Sequence, residues 1–368
     1  MGRRGNRLTW RQVRSRRLRR NLLLRRLPND RLADAARAVG GIQAQVAAAA
    51  EIALAARVAG LSRAQVRNAL WEHRSMVKTW TLRGTLHLHP ADEVGLWLAA
   101  RRATRSWRDG QWMAAEGLSR REGDRLLAVI AAALDGRRLT RSQLSAEVAR
   151  SMGGRIGERL GTGWAHLLGP AAVAGLLCHG PPQGGAATFV RLDQWLGAEP
   201  SVPDDPLAEV ARRFLAVYGP GTLRGFREWF GLERDEAAAA FRRLALDQVE
   251  IEGREALLLR GDDGDLYAAG AVRLLPEYDA YVMGFRERDR LLPDAAREII
   301  SAHPRGRLEG PAPVPWMIVD GEAAGGWSRR RTGGTVRVDV APLRLLPARA
   351  RAALERERRI LIGFLTEP

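Results

Sequence analysis

Two glutamines two positions apart, Gln43 and Gln45, follow a Gly40-Gly41 pair, and a second polar run spans Thr79 to His89 around Gly84. Residues two apart on an α-helix lie roughly 200° around its axis and cannot address one point. In an extended segment they point the same way, and Gly40 and Gly41 permit the non-helical backbone this needs. Two carboxamides side by side can share a water or a sugar oxygen, orienting it and offering lone pairs, but they take up no proton. On spacing alone the commoner reading is plainer: two glutamines that cap or decorate a helix start.

Other chemistries are poorly supplied. His87 and His89 alternate on one strand face, but His73, His166, His179, His303 and Cys178 stand at no recognised metal-ligand spacing, so neither a metal nor another cofactor is expected. Cys178 is the only cysteine, which excludes an internal disulfide and a cysteine-rich zinc finger and suits a reducing cytoplasm. Lys78 is the only lysine, so 58 of the 59 basic residues are arginine; a GC-rich coding sequence accounts for part of that bias. A Schiff-base enzyme would have to use Lys78 or the amino terminus. Glu277 and Asp279 read as a strand-end pair engaging Arg286 or Arg288.

The charge points to a polyanion. The net formal charge is +17 at a sequence pI near 11.3, which favours nucleic acid first and an anionic membrane surface second. Between Met1 and Arg26 stand 11 arginines and no acid. This arm, Arg16, Arg17, Arg19 and Arg20 included, reads as a clamp on the DNA backbone or as a solvated tail. It lacks the apolar face a membrane anchor needs, and Leu22, Leu23 and Leu24 are too short a run for a secretory signal. No segment is apolar enough to span a bilayer, and a cytoplasmic, nucleoid-associated protein is expected. Trp supplies 11 of the 22 aromatic residues, with Trp80, Trp97, Trp107 and Trp112 as stacking candidates, most of them expected in the core.

Those residues must be positioned by two or three domains, given 368 residues. The fold expected is α+β and helix-rich: tandem winged helix-turn-helix domains with a C-terminal β-containing subdomain. In residues 1–115, behind the arm, helices over 29–39, 46–58 and 62–71 precede two strands around Gly84. Residues 116–200 repeat the order, with helices over 121–134, from the Thr140 cap, and over 164–177, then a wing ending at Thr188-Phe189-Val190. Residues 201–270 repeat it again, with helices over 207–217, 223–230 and 235–246 and a wing turning at Asp262-Asp263-Gly264, from 249–259 to 266–268. Residues 271–368 carry strands over 272–276, 316–319, 325–329 and 336–340, a hairpin turn at Asp320-Gly321, and a final helix over 347–365.

An ordered set of motifs then carries a resemblance: Gly40-Gly41-Ile42-Gln43-Ala44-Gln45, Thr79-Trp80-Thr81-Leu82-Arg83-Gly84-Thr85-Leu86-His87, Tyr218-Gly219-Pro220 with Trp229, Leu274-Leu275-Pro276-Glu277-Tyr278-Asp279, and Val319-Asp320-Gly321. Together, spanning nearly the whole chain, they resemble the AlkZ-like DNA glycosylases, tandem winged-helix proteins that excise alkylated bases, several of them protecting antibiotic producers. The resemblance implies that Gln43 and Gln45 are the catalytic Gln-x-Gln pair and that the cleft is open enough for bulky adducts and interstrand crosslinks. Neutral amides suit a bond already primed to break. A purine alkylated at N7 is cationic and leaves as a neutral base through an oxocarbenium-like state, so undamaged guanine should be a very poor substrate. Arg83, Thr85 and His87 would line the cleft or grip a phosphate. The expected partner is double-stranded DNA carrying alkylated purines, bound by a monomer, with an abasic site as product because Lys78 is the lone side-chain amine. The alternative is a winged-helix transcriptional regulator that binds DNA without catalysis.

Overall fold

The computed structural model describes residues 6–162, 167–262 and 271–367. The basic arm is built into the fold. Strand β1 (Asn6–Leu8) pairs parallel with a strand of the third wing, and Thr9 caps the helix Trp10–Arg20 in a reciprocal bond with Gln12. One face of that helix is apolar: Trp10, Val13 and Leu18 are buried with Val249, Ile251, Tyr281, Phe285 and Trp316. Arg16 and Arg17 go in with them. Arg16 pairs with Asp262, while Arg17 bonds Glu287 at 2.8 Å and the carbonyls of Tyr218 and Pro220 at 2.7 and 2.8 Å. Each is 2% exposed, so neither can act as the backbone clamp expected of the arm. Arg20 also bonds Asp262, at 2.6 Å, and Arg19 keeps an exposed position.

The first winged-helix unit follows. Helices Leu32–Ala38, Ala47–Ala55 and Arg63–Trp71, the last capped by Ser62 with Gln65, lead into strands β3 (Met76–Trp80) and β4 (Leu86–Pro90). A two-residue strand, β2 (Ile42–Gln43), adds to the other edge of β4, so the sheet order is β2-β4-β3. The link between β3 and β4 is wider than a two-residue turn: Leu82–Gly84 makes one 3₁₀ turn, with Arg83 at φ +51° and Gly84 at φ +69°.

The second unit has helices Arg120–Ala133, Arg141–Met152 and Leu168–Val173 and a sheet of β5 (Leu139–Thr140), β6 (Cys178–Gln183) and β7 (Ala186–Val190), ordered β5-β7-β6. The expected helix over 164–177 is shorter, and its start lies outside the described residues. Ahead of it runs the unexpected helix Gly154–Thr162. Its glycines conceal it in the sequence and make it possible in space: a Cβ at Gly157 would lie 2.5 Å from Ala149 Cβ, and one at Gly161 3.0 Å from Ser145 Oγ.

The third unit comprises helices Pro206–Tyr218, Leu223–Phe230 and Arg234–Arg242, then β8 (Leu246–Ile251) and β9 (Arg254–Leu259), in the sheet order β1-β8-β9. A hairpin turn falls at Glu252-Gly253, at φ +46° and +85°, inside the stretch expected as one strand over 249–259; most of the turn expected at Asp262-Asp263-Gly264, and the strand expected over 266–268, lie outside the described residues.

The C-terminal subdomain is a four-stranded antiparallel meander, β10 (Val272–Leu275), β11 (Trp316–Val319), β12 (Glu322–Thr332) and β13 (Thr335–Pro342), backed by the helix Ala348–Thr366. Asp320 and Gly321, at φ +50° and +88°, form the expected hairpin turn between β11 and β12. Its sheet shares a core with the first unit, where Leu54, Leu61 and Met76 meet Leu274, Met317, Val338 and Leu354. Among the described residues no helix is long and apolar enough to cross a membrane.

Candidate active site

Gln43 sits on β2, opposite His87 of β4, and His87 sits opposite Thr79 of β3. Directly opposed residues of an antiparallel ladder share a face, so Gln43, His87 and Thr79 form one row. Ala44 continues the extended backbone, its N–H donating to the Leu86 carbonyl at 2.8 Å, and Gln45 falls on the same side as Gln43. The two carboxamides touch: Gln43 Nε2 donates to Gln45 Oε1 at 3.1 Å. Gln45 is exposed, Gln43 is half-buried, and Gln43 Oε1 is buried with no protein partner. An acceptor site is thus left unused in the pair, and among the described residues no acidic side chain hydrogen-bonds either glutamine. The helix that the plainer reading required begins only at Ala47.

The turn ahead of β2 is braced from two sides. Gly41 N–H donates to the Ala36 carbonyl at 2.9 Å, ending the helix Leu32–Ala38, and the Tyr218 hydroxyl donates to the Val39 carbonyl at 3.0 Å. Trp229 closes over Gly40, where a Cβ would be 3.2 Å from the indole. Gly41 has φ +108°, and a Cβ there would lie 2.4 Å from His89 Cε1. A side chain meets both strained backbone and a filled space. Gly41→Ala should therefore lose about 2–4 kcal/mol of stability and displace Gln43; an unchanged urea midpoint would refute this reading of the turn.

His87, His89 and His179 are buried. His87 Nδ1 donates to the Thr85 carbonyl at 3.0 Å, which leaves Nε2 with its lone pair. Burial, helped by the Arg83 charge, pulls the His87 pKa down to about 3. His89 lies well below the ordinary histidine range, from burial and then its His87 neighbour; its Nε2 meets Thr81 Oγ1 at 2.8 Å and its ring stacks on Trp97. His179 in the second sheet is also pulled down to about 3, chiefly by burial. In the unfolded chain all three take a proton below about pH 6.5. Their contribution to stability is complete above that pH and is lost as pH falls below it, down to about 3 for His87 and His179. A series of denaturant midpoints from pH 7.5 to 4.5 should fall accordingly; a flat series would contradict the assignment.

The turn residues expected to grip DNA also make hydrogen bonds within the protein. The Thr85 hydroxyl donates to the Leu82 carbonyl at 2.9 Å, Arg83 Nη1 donates to the Trp229 carbonyl, and His87 is buried without charge. Burial and the nearby Arg286 bring the Arg83 pKa down to about 10. Trp80 and Trp97 are core residues, 2% and 0% exposed, whereas Trp107 and Trp112 stack on each other half-buried. Glu277 and Asp279 do not lie on a strand, nor do they meet Arg286 or Arg288. Glu277 pairs with Arg329 at 3.4 Å, and Asp279 forms two bonds of 2.8 Å to Arg57, both side chains fully buried. Thr79, Thr81 and His89, which complete the polar face, are signalled in the sequence by period-two alternation through both strands.

Known proteins resemble this chain over most of its length. The profile of the family described as DNA glycosylase AlkZ-like matches residues 36–364. The chain is 32% identical over 340 residues to the Interstrand DNA cross-link repair glycosylase of Streptomyces sahachiroi, with 87% of each protein covered. It superposes on the structure of Streptomyces sahachiroi DNA glycosylase AlkZ with a TM-score of 0.83 at 30% identity, covering 97% of each chain. A chain that matches over this length, in sequence and in backbone, belongs to the AlkZ-like DNA glycosylase family.

Proposed function

We propose that this glycosylase hydrolyses the N-glycosidic bond of N7-alkylated, cationic purines in double-stranded DNA, with Gln43 and Gln45 as its catalytic pair. The contact of the two carboxamides on an extended segment, with a buried and unpartnered Gln43 Oε1, carries the reading. Gln43 Oε1 accepts a hydrogen bond from the attacking water or lends its lone pairs to the sugar as positive charge develops there. Gln45, bonded to Gln43 and open to solvent, holds the second position on that water. The leaving base is already cationic and departs neutral, so no acid has to protonate it, and His87, held neutral, keeps only the weakly acidic Nδ1–H that bonds the Thr85 carbonyl. The name of the Streptomyces sahachiroi relative extends the proposed substrates to interstrand crosslinks and other bulky purine adducts.

The pair also favours hydrolysis without strand cleavage. Lys78 is opposed to Leu88, one residue out of phase with the Thr79–His87–Gln43 row, so it belongs to the reverse face of the sheet. An amine there is separated by the sheet from a sugar held at Gln43. The test is a duplex with a single 7-methylguanine. Free base and an alkali-labile abasic site should form without spontaneous nicking, and borohydride should trap no protein–DNA adduct. Salt-dependent DNA binding with no base released would favour the regulator.

A further inference from the structure

On the reverse face of the Gln43–His87–Thr79 sheet lies a cavity of about 330 Å³, closed by the helices Ala47–Ala55 and Arg63–Trp71 and by the β6–β7 hairpin of the second unit. Most of its wall is small or apolar, and Lys78, the only lysine of the chain, lines it. Among the described residues the Lys78 amine has neither a hydrogen-bond nor an ion-pair partner. Glu51, on the same wall, is engaged by Arg63 at 2.9 Å. His179 also lines the cavity, and its Nε2 is buried and unpartnered. A half-buried amine with no direct hydrogen-bond partner, its nearby carboxylate Glu51 already bonded to Arg63, is costly to leave unmatched in a space roomy enough for a small molecule.

We propose that this cavity binds a small organic carboxylate with an apolar body, its carboxylate on the Lys78 ammonium and its body against Val66, Leu70 and Leu88. A single negative charge is specified by the wall. Lys78 and Arg67 attract an anion, whereas the Glu51 carboxylate opposes a second charge, so a phosphate dianion fits poorly. An apolar body is specified by the alanine, leucine and valine surface, which a bare inorganic ion would leave unfilled. Burial lowers the Lys78 pKa against the pull of Glu51, and an arriving carboxylate would raise it again.

A single lysine makes the experiment direct. Full-length protein labelled on lysine carbon and nitrogen gives side-chain NMR signals from Lys78 alone. Benzoate at millimolar concentration should shift the Lys78 signal saturably. Neutral benzamide, of the same shape, should bind at least about tenfold more weakly, as should inorganic phosphate. Lys78→Met should abolish the rise in melting temperature that benzoate gives the wild type. A Lys78 signal unmoved by benzoate, equal binding of benzoate and benzamide, or phosphate binding as tight as benzoate would each overturn the proposal.

Discussion

Gln43→Ala should lower the single-turnover rate of 7-methylguanine release by about 10²–10³-fold, the loss expected on the proposed mechanism when a group aimed at the reacting centre is removed. Gln43 Oε1 is the buried, unpartnered atom of the pair, and Gln43 Nε2 supplies the 3.1 Å bond that holds Gln45. Removing Gln43 thus deletes one functional group and releases the other. Gln45→Ala frees Gln43 of its side-chain partner among the described residues and should cost nearly as much. The double variant should lose little more than either single one, because groups that act as a unit are not additive. DNA affinity should stay close to wild type in all three, since affinity rests on phosphate contacts rather than on two neutral amides. The ladder bond from Ala44 N–H to the Leu86 carbonyl is backbone, so the local fold survives these changes.

Asp279→Ala lowers stability by about 3–5 kcal/mol, a large part of the 5–15 kcal/mol typical of a folded domain. Asp279 and Arg57 are both fully buried and joined by two bonds of 2.8 Å. Arg57 Nη1 also donates to the Ala53 carbonyl at 2.9 Å, and the Tyr281 N–H donates to Asp279 Oδ1 at 2.9 Å. The pair therefore fastens the helix that follows Gln45 to the C-terminal subdomain. Removing either partner leaves the other charge in the interior, where it cannot be rehydrated. Arg57→Leu with Asp279→Leu should recover most of the loss, because two apolar side chains leave no unmatched charge. Guanidinium midpoints at pH 7 give the measurement. A single variant within about 1 kcal/mol of wild type would contradict it.

The elements that position the site were largely legible in the sequence, for local reasons. Ser62, Thr140 and Thr222 cap helices that begin at the next residue, and Asp320-Gly321 is a hairpin turn by its backbone angles. The Gln-x-Gln geometry followed from Gly40 and Gly41, which set the extended path of β2. What stayed hidden depends on contacts between distant residues. Arg57 and Asp279 are 222 positions apart, and nothing local selects that pair from 59 basic and 42 acidic residues. The arm read as a clamp because its arginines have no acidic neighbours in sequence; Asp262 and Glu287 reach Arg16 and Arg17 only after folding. The internal hydrogen bonds of Arg83, Thr85 and His87, to the Trp229, Leu82 and Thr85 carbonyls, are likewise set by the fold and not by neighbouring sequence alone.

The most direct test is release of free base from a duplex with one 7-methylguanine, followed under single turnover by wild type, Gln43→Ala, Gln45→Ala and the double variant at equal DNA occupancy. A fall of at least about a hundredfold in each single variant, with no further comparable fall in the double one, is expected of two amides acting as a unit. Rates within about twofold of wild type in both single variants would contradict the catalytic role of the pair.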